Sequence, residues 1–241
     1  MCCLAFNFTK PEGSKIIFAG YNINICLMQV RWRFAQFFEL WWWRFYLSGK
    51  EKSAYLRWKT SYWTTFLDRF GVVLPPAGRI LDAGCGPAGI FLVLPAGQVD
   101  AVDPLLGRYA AELPHFNPSD YPSVRFFQSP LEAFEPGIKY ETIFCLNAIN
   151  HVADLQRSLD RLTELAQPGG RMFLSVDAHR FDLLMRLFQL LPGDVLHPQQ
   201  FTVSQYAEML YGRGWAIRRI DRVKRAGIFD YTLFTAVRPP A

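Results

Sequence analysis

The chain has few residues that form covalent or metal cross-links. It contains five cysteines among 241 residues, an odd number, and Cys2 and Cys3 are adjacent. The cysteines lack the close pairing that is typical of a zinc site, and Cys85 and Cys145 lie in apolar, strand-like contexts. The composition therefore argues against a disulfide framework and a metal centre, and we expect a protein of the reducing cytoplasm.

The chain also lacks an apolar run long enough to span a membrane. Residues 16–30 (IIFAGYNINICLMQV) form a run of 15 residues that contains Asn22 and Asn24, whereas a spanning helix needs about 20 apolar residues. Bulky residues follow this run where a signal peptide would have a cleavage site, so we expect no export. The pattern becomes coherent only at Met28, and residues 1–27 are interpreted as a poorly defined extension, with Met28 as an alternative start.

Negative charge is scarce in one segment of the chain. Residues 31–70 contain eight cationic and three anionic residues, which accounts for the whole net charge of +5. Six of the seven tryptophans lie in the same segment. A basic excess confined to one segment predicts a local charged surface, and we expect no nucleic-acid partner.

Two kinds of hydrophobic pattern follow each other along the chain. Helical spacing extends over residues 30–47 and 53–70, with a turn at residues 48–50. Beyond Phe70, short apolar runs alternate with helical patterns, which predicts an α/β fold with a doubly wound, mostly parallel sheet of seven strands. The last two runs are close enough to form an antiparallel hairpin at one edge. We divide the chain into the extension 1–27, an aromatic-rich helical cap 28–71 and one α/β domain 72–241.

The stretch from 79 to 91 (RILDAGCGPAGIF) contains a glycine loop directly behind a predicted strand. Gly84, Gly86 and Gly89 have the spacing G-x-G-x-x-G, which lets the backbone approach a nucleotide. Asp82 precedes the loop. A carboxylate about 5 Å from a pyrophosphate would cost about 3 kcal/mol, whereas the ammonium and sulfonium groups of S-adenosylmethionine would be attracted to a similar extent. The loop therefore favours S-adenosylmethionine over a dinucleotide.

Asp103 lies 19 residues after Gly84, at the end of the run QVDAVD. A carboxylate at this place can accept hydrogen bonds from both hydroxyls of a ribose. Two structural alternatives stay open: Asp103 can cap the turn before Pro104, and Asp82 can be a buried residue bonded only to loop amides.

Five sequence blocks together match a known family in order and spacing over residues 75–178. They are residues 80–89 (ILDAGCGPAG), 99–103 (VDAVD), 127–134 (FQSPLEAF), 140–152 (YETIFCLNAINHV) and 165–175 (LAQPGGRMFLS). On these blocks the chain resembles the class I S-adenosylmethionine-dependent methyltransferases with a compact, small-molecule type domain. The resemblance implies a Rossmann-like sheet, a methyl-transferring enzyme and S-adenosyl-L-methionine as its cofactor.

The resemblance also implies roles for individual residues. Gly84 and Gly86 would face the methionine part of the cofactor, and Asp82 would organise the loop and the amino group. Asn147, which ends the fourth strand, would lie next to the sulfonium. Ser129 stands where the family often has an acidic residue, so adenine recognition lacks its usual carboxylate here. The implied cofactor-binding residues are Asp82, Gly84, Cys85, Gly86, Asp103, Pro104, Ser129, Pro130, Leu131 and Asn147.

The histidines are candidates for chemistry on the acceptor. Methyl transfer is an in-line displacement, and positioning can contribute about 7 to 11 kcal/mol. A hydroxyl or acidic carbon also needs a base, for which His151 is the candidate because it follows the strand that abuts the methyl group; a structural histidine is the alternative. His179 with Arg180, and His197, are candidate substrate-binding residues. A metal site from Asp177, His179 and His197 lacks close ligand spacing.

The segment AQFFELWWWRFYL (residues 35–47) is too dense in aromatic side chains to be fully solvated. It is interpreted as a cap over the acceptor pocket. Peripheral membrane contact through residues 28–70 and a partner-binding surface are the alternatives. The predicted function is methyl transfer to a small or lipid-like organic acceptor; a non-catalytic or membrane-associated binding protein and a nicotinamide-dependent reductase are the alternatives.

Overall fold

The computed structural model describes residue 32 and residues 34–179, 201–226 and 229–240, with the backbone alone at residues 178, 179, 225, 226, 229 and 230. The helices are α1 over residues 34–47, α2 (Lys52–Arg69), α3 (Leu106–Glu112), α4 (Leu155–Leu165) and α5 (Val203–Tyr211). The strands are β1 (Ile80–Ala83), β2 (Val99–Val102), β3 (Val124–Phe127), β4 (Tyr140–Leu146), β5 (Ala166–His179), β6 (Ala216–Ala226) and β7 (Phe229–Val237). Within these ranges, no helix is long and apolar enough to cross a bilayer.

The seven strands form one sheet in the order β3-β2-β1-β4-β5-β7-β6. The first five strands are parallel, and β7 runs antiparallel between β5 and β6. This arrangement confirms the predicted doubly wound sheet and its edge hairpin. The strand order reverses between β1 and β4, and open α/β sheets bind their ligands outside the carboxyl ends of the strands at such a point.

Apolar side chains cover both faces of the central strands. Leu81 and Ile143 pack on one face with Leu162 of α4, whereas Ile80 and Phe144 pack on the other face with Phe66 of α2. Strands buried on both sides read as continuous apolar runs, which is why the sequence predicts them well. The helical cap, formed by α1 and α2, lies on the second face.

Helix α2 is fixed at its start and along its inner face. The Glu51 carboxylate accepts hydrogen bonds from Ser53 N at 2.8 Å and Ala54 N at 2.6 Å, which satisfies amides that lack helical partners. Trp63 Nε1 donates to Ala88 O at 3.0 Å, in the glycine loop. The cap is therefore joined to the loop that follows β1.

Asp100 forms a buried ionic network on β2. Its carboxylate accepts hydrogen bonds from Arg79 and Arg125 at 2.6 Å and from Tyr140 Oη at 2.7 Å. Burial alone would raise the pKa of Asp100, but the bonds from Arg125, Tyr140 and Arg79 outweigh it and hold this pKa below its usual range. The network therefore stabilises the fold above the unfolded-state pKa, and this contribution is lost as the pH falls.

We predict that Asp100→Ala lowers the free energy of unfolding by about 3 kcal/mol at pH 7, because it leaves two arginines and a buried tyrosine without their acceptor. Asp120→Ala is the control, since it breaks the exposed pair with Lys52 and should cost less than about 1 kcal/mol. Urea denaturation measures both values. Equal losses in the free energy of unfolding for the two substitutions would contradict the stabilising contribution that we assign to the Asp100 network.

Candidate functional site

The predicted cofactor residues lie along the carboxyl ends of four neighbouring strands. In sheet order these strands are β3, β2, β1 and β4, and they are followed by Leu131, Asp103, Gly84 and Asn147 respectively. Neighbouring strands are about 4.8 Å apart, so the row spans about 14 Å. This edge can accommodate an elongated ligand with a different chemical group at each strand end.

Glycine is required at each of the three loop positions for a different structural reason. Gly84 has a φ of 73°, and a Cβ atom there would clash with Ala148 Cβ, in the turn after β4. Gly86 has a φ of 56°. Gly89 has an ordinary φ, but a Cβ atom there would clash with the Asp82 carboxylate and with Cys85 O. Two glycines therefore let the chain turn, and the third admits the Asp82 side chain.

Asp82 is buried beneath the loop. Its Oδ2 accepts a hydrogen bond from Phe91 N at 3.0 Å, and burial raises its pKa to about 7. The amide contact fits both the loop-organising role and the alternative of a residue bonded only to loop amides, and a bond to the cofactor's amino group stays a prediction. Lys59 of α2 is a nearby cation: burial lowers its pKa to about 8, and the Asp82 charge opposes that shift.

Asp103 connects the β2 end to the glycine loop. Its Oδ2 accepts from Gly86 N at 3.0 Å and its Oδ1 accepts from Leu105 N at 2.8 Å. Burial raises its pKa to about 7, and the nearby Glu39 carboxylate adds to the shift. Each carboxylate oxygen can accept more than one hydrogen bond. Capping the turn and accepting a ribose hydroxyl are therefore compatible roles.

Helix α1 brings a second carboxylate to this place. Glu39 Oε1 accepts a hydrogen bond from Tyr109 Oη at 3.0 Å, and burial raises the pKa of Glu39. Trp43, one turn further along, lies 3.7 Å from the position of a Cβ built at Gly86. The cap thus covers the glycine loop and Asp103. Sequence reasoning missed Glu39, because its position opposite most of the aromatic residues of α1 on a helical wheel predicts a solvent-facing carboxylate.

The β3 end is less polar than the family pattern implies. Ser129 Oγ donates to Pro130 O at 2.9 Å, and Leu131 is buried. The neighbouring acid, Glu132, accepts from Asp154 N at 2.9 Å. This glutamate therefore binds the backbone at the start of α4.

The β4 end carries a chain of polar groups. Asn147 has a φ of 56° and its side chain is exposed. The backbone amide of Asn147 donates to Ser175 Oγ at 2.8 Å, and Ser175 Oγ lies 2.7 Å from Tyr231 Oη on β7. His151 is partly buried in the short helical turn Ile149–His151 that follows. The β4 end therefore combines an imidazole with a buried hydroxyl pair that the sequence did not reveal.

The predicted substrate-binding residues are described only in part. His179 is the last residue of β5 and pairs with Phe229. Only the backbone of His179 is described. Arg180 and His197 lie outside the described residues. Their roles stay predictions.

A shallow apolar groove adjoins this end of the sheet. Its volume is about 320 Å³, and its aromatic walls are Trp58, Tyr62, Phe66 and Phe70. Burial raises the pKa of Tyr231, and the neighbouring Tyr62 hydroxyl adds to this shift through its charge. The groove is therefore near the hydroxyl pair at the β4 end.

The charge of the cleft decides which ligands fit it. Asp82 and Asp103 are buried carboxylates within or beside the loop, and Glu39 is a partly buried one. Such a group repels a diphosphate and attracts a cation. The residues present therefore suit a cationic ligand with vicinal hydroxyls, which is the chemistry of S-adenosylmethionine.

Comparisons with known proteins agree with this geometry. Residues 55–220 match the model of a family described as a methyltransferase domain. The chain is also similar to a ubiquinone biosynthesis O-methyltransferase of Bradyrhizobium sp. (strain ORS 278), with 32% identity over 101 residues. A protein of the same name from Nitrobacter winogradskyi is 34% identical over 101 residues. These matches cover 40% of this chain and 39% and 38% of the two relatives, so the chain matches about two fifths of their length.

Solved structures share the fold at low sequence identity. The 1,6-didemethyltoxoflavin-N1-methyltransferase of Burkholderia thailandensis, solved with S-adenosylhomocysteine, has a TM-score of 0.52 and 18% identity, and the match covers 96% of this chain and 93% of that one. The 4+2 cyclase SpnF has a TM-score of 0.56 and 15% identity, with 76% and 81% covered. At these identities the likeness concerns the fold alone.

Proposed function

Because the chain belongs to the methyltransferase-domain family, whose model matches residues 55–220, we propose that it transfers the methyl group of S-adenosylmethionine to an oxygen atom of a small or lipid-like organic acceptor. The family match confirms the predicted enzyme class, and the comparisons together agree with S-adenosylmethionine as its cofactor. It decides against the nicotinamide-dependent reductase. The acceptor and the residue roles are our proposal.

The observation that carries the proposal is the position of Asp103. Its carboxylate is buried, bonded to the amide of Gly86 and aligned with the glycine loop at the switch point of the sheet. Such a group can hold the vicinal hydroxyls of the adenosine ribose, and the backbone of Gly84 and Gly86 can approach the methionine chain closely. When bound, S-adenosylmethionine supplies a methyl group on a positively charged sulfur.

The residues of the chain would then position the acceptor and remove its proton. Asn147 directly follows β4, and His151 ends the short helical turn Ile149–His151 that comes next; both would face the methyl group. An imidazole at this place can take the proton of a hydroxyl as the oxygen is methylated. Aromatic side chains of α2 would exclude water from the same region.

Two features support an aromatic or lipid-like acceptor. The groove at α2 has aromatic walls, which suit flat apolar molecules. The curated relatives are named for ubiquinone biosynthesis and for O-methylation. We therefore propose a phenolic hydroxyl, on a ring with or without an apolar tail, as the group that is methylated.

The first experiment is calorimetry followed by transfer of a tritiated methyl group. We expect micromolar binding of S-adenosylmethionine and its demethylated product, no binding of NADH, and label in phenolic acceptors, with higher kcat/KM when an isoprenoid tail is attached. Cofactor binding without labelling of any phenol or cell-extract component would favour the non-catalytic alternative. That alternative has one observation behind it, since Trp43 of α1 already lies against Gly86.

For the proposed base, we predict that His151→Ala lowers kcat about 100-fold with little change in cofactor affinity, because the hydroxyl proton loses its acceptor. His151→Gln is the matched variant, since it keeps a polar side chain but cannot take a proton near neutral pH. With the cofactor saturating, so that the titration of Asp103 does not contribute, both variants should lose the acidic limb of the kcat profile. Full activity of either variant on the identified acceptor would remove His151 from this role.

A further inference from the structure

Helix α1 presents its aromatic residues to solvent. Its outward side chains form the α1 aromatic face, which consists of Phe34, Phe37, Phe38, Trp41, Trp42 and Phe45. Their exposed fractions range from 43% at Phe38 to 68% at Phe45. The spacing of these residues places all six on one side of a helix. The rings of Trp41 and Phe45 stack along this side, with centroids 5.9 Å apart.

The opposite side of α1 contains the residues that contact the domain. Leu40 and Leu47 are buried there, and Glu39 binds Tyr109. The helix thus turns a carboxylate inward and six aromatic rings outward, which reverses the usual order for a surface helix. Packing among the described residues does not explain the aromatic face, so a partner is sought outside them.

The size of the face supports this conclusion. Six half-exposed aromatic side chains present about 600 Å² of apolar surface, which equals the largest patch on a typical monomer. They extend over about 17 Å of helix. A stable protein dimer needs about 800 Å² from each partner with good complementarity, and a single convex helix offers less.

We propose that the α1 aromatic face docks on the surface of an anionic phospholipid bilayer. Tryptophan and phenylalanine on one side of a helix insert at the boundary between headgroups and acyl chains. The surrounding charge complements such a surface: Arg44 borders the face and keeps its side chain 62% exposed although it lies 3.5 Å from Glu112. Lys50, between α1 and α2, and Arg57, on α2, are also exposed. Residues 31–70 carry the entire net positive charge of the chain.

This docking explains why α1 differs on its two sides. The inward side covers the glycine loop through Trp43, so the helix would lie between the bilayer surface and the cofactor cleft. The exposure and charge of α1 favour this docking whether or not the acceptor is a lipid.

Vesicle flotation of the full chain tests the proposal. We expect it to float with vesicles of phosphatidylcholine that contain about one third phosphatidylglycerol and to float less with phosphatidylcholine alone. The double variant Trp41→Ser with Phe45→Ser should lower the partition coefficient at least about tenfold. Its circular dichroism and its affinity for S-adenosylmethionine in solution should not change, because both side chains point away from the domain.

The matched control is Tyr211→Ser with Ile220→Ser, which removes two exposed apolar residues outside the cap and should leave flotation unchanged. Equal flotation of wild type and the α1 variant overturns the proposal, as does equal binding to neutral and anionic vesicles. Light scattering without vesicles tests for a dimer. If the wild type is a dimer and only the α1 variant loses it, the α1 aromatic face binds a second copy of the chain and the proposal is overturned. Calorimetry of the cofactor reports on the proposed function separately, so the two proposals fail independently.

Discussion

Replacing Asp103 by alanine is expected to weaken the binding of S-adenosylmethionine at least about 100-fold. The carboxylate would lose two hydrogen bonds to ribose hydroxyls, and hydrogen bonds to a charged group contribute about 1.5 to 3 kcal/mol each. The substitution also releases the amides of Gly86 and Leu105, which Asp103 holds at 3.0 and 2.8 Å. Isothermal calorimetry with the cofactor measures the loss.

Two further variants separate the causes of this effect. Asp103→Asn keeps the shape but removes the charge, and it should lose less affinity than the alanine variant. Asn117→Ala removes another side chain that accepts an amide hydrogen bond at a turn, from Ser119 N at 3.0 Å, and it should leave cofactor affinity unchanged. An alanine variant at Asp103 that binds the cofactor as tightly as wild type would remove the ribose assignment.

The pH dependence of binding gives a second test of the same residue. Burial and the neighbouring Glu39 raise the pKa of Asp103 to about 7. A ribose hydroxyl and a cationic ligand both favour the ionised form. Affinity should therefore fall as the pH drops below 7, by up to about tenfold per pH unit for one proton, and this fall should be absent in Asp103→Asn.

The raised pKa of Asp103 affects the stability of the cofactor-free protein in the opposite direction: stability falls as the pH rises, whereas cofactor affinity increases. A carboxyl group whose folded-state pKa is raised stabilises the fold below the unfolded-state pKa, and this contribution is lost as the pH rises through 7. The cofactor should therefore raise the melting temperature more at pH 8 than at pH 6. The acidic cleft thus costs stability when it is free and favours the cationic ligand.

The sheet could be predicted from the sequence because its signals are local. Runs such as residues 80–83 and 140–146 are buried on both faces, and continuous apolar runs between helical patterns have few other interpretations. The antiparallel edge followed from the short connection between the last two runs. The glycine loop was equally readable, since its positive φ at Gly84 and Gly86 requires the residue type that the pattern displays.

The contacts that complete the site could not be predicted in the same way. Ser175 meets Tyr231, 56 residues later, only through the register of β5 and β7. Glu39 reaches the cleft because α1 lies across the loop with the Glu39 side of the helix turned toward the domain. Helical spacing indicated that residues 30–47 form a helix, but it did not say which side would face the domain. Here the more apolar side faces outward, against the usual expectation.

Gly84→Ala is expected to lower the free energy of unfolding by about 3 to 5 kcal/mol and to abolish measurable cofactor binding. Two effects combine at this position. A non-glycine residue at a φ of 73° costs about 1 kcal/mol, and the new Cβ atom would clash with Ala148 Cβ in the turn after β4. Cores at this density relieve such a clash only by moving backbone.

The two effects can be measured separately with matched variants. Gly137 has a similar φ of 71° and open space where a Cβ atom would lie, so Gly137→Ala should cost only about 1 kcal/mol. Ala148→Gly removes the other half of the clash, and adding it to Gly84→Ala should return most of the difference between the two alanine variants. Because Ala148 directly follows Asn147, a shift there also moves the strand end that is proposed to face the methyl group. If Gly84→Ala lowers the free energy of unfolding no more than Gly137→Ala does, the loop after β1 and the turn after β4 are not in close contact. The proposed cofactor cleft between them would then be wrong.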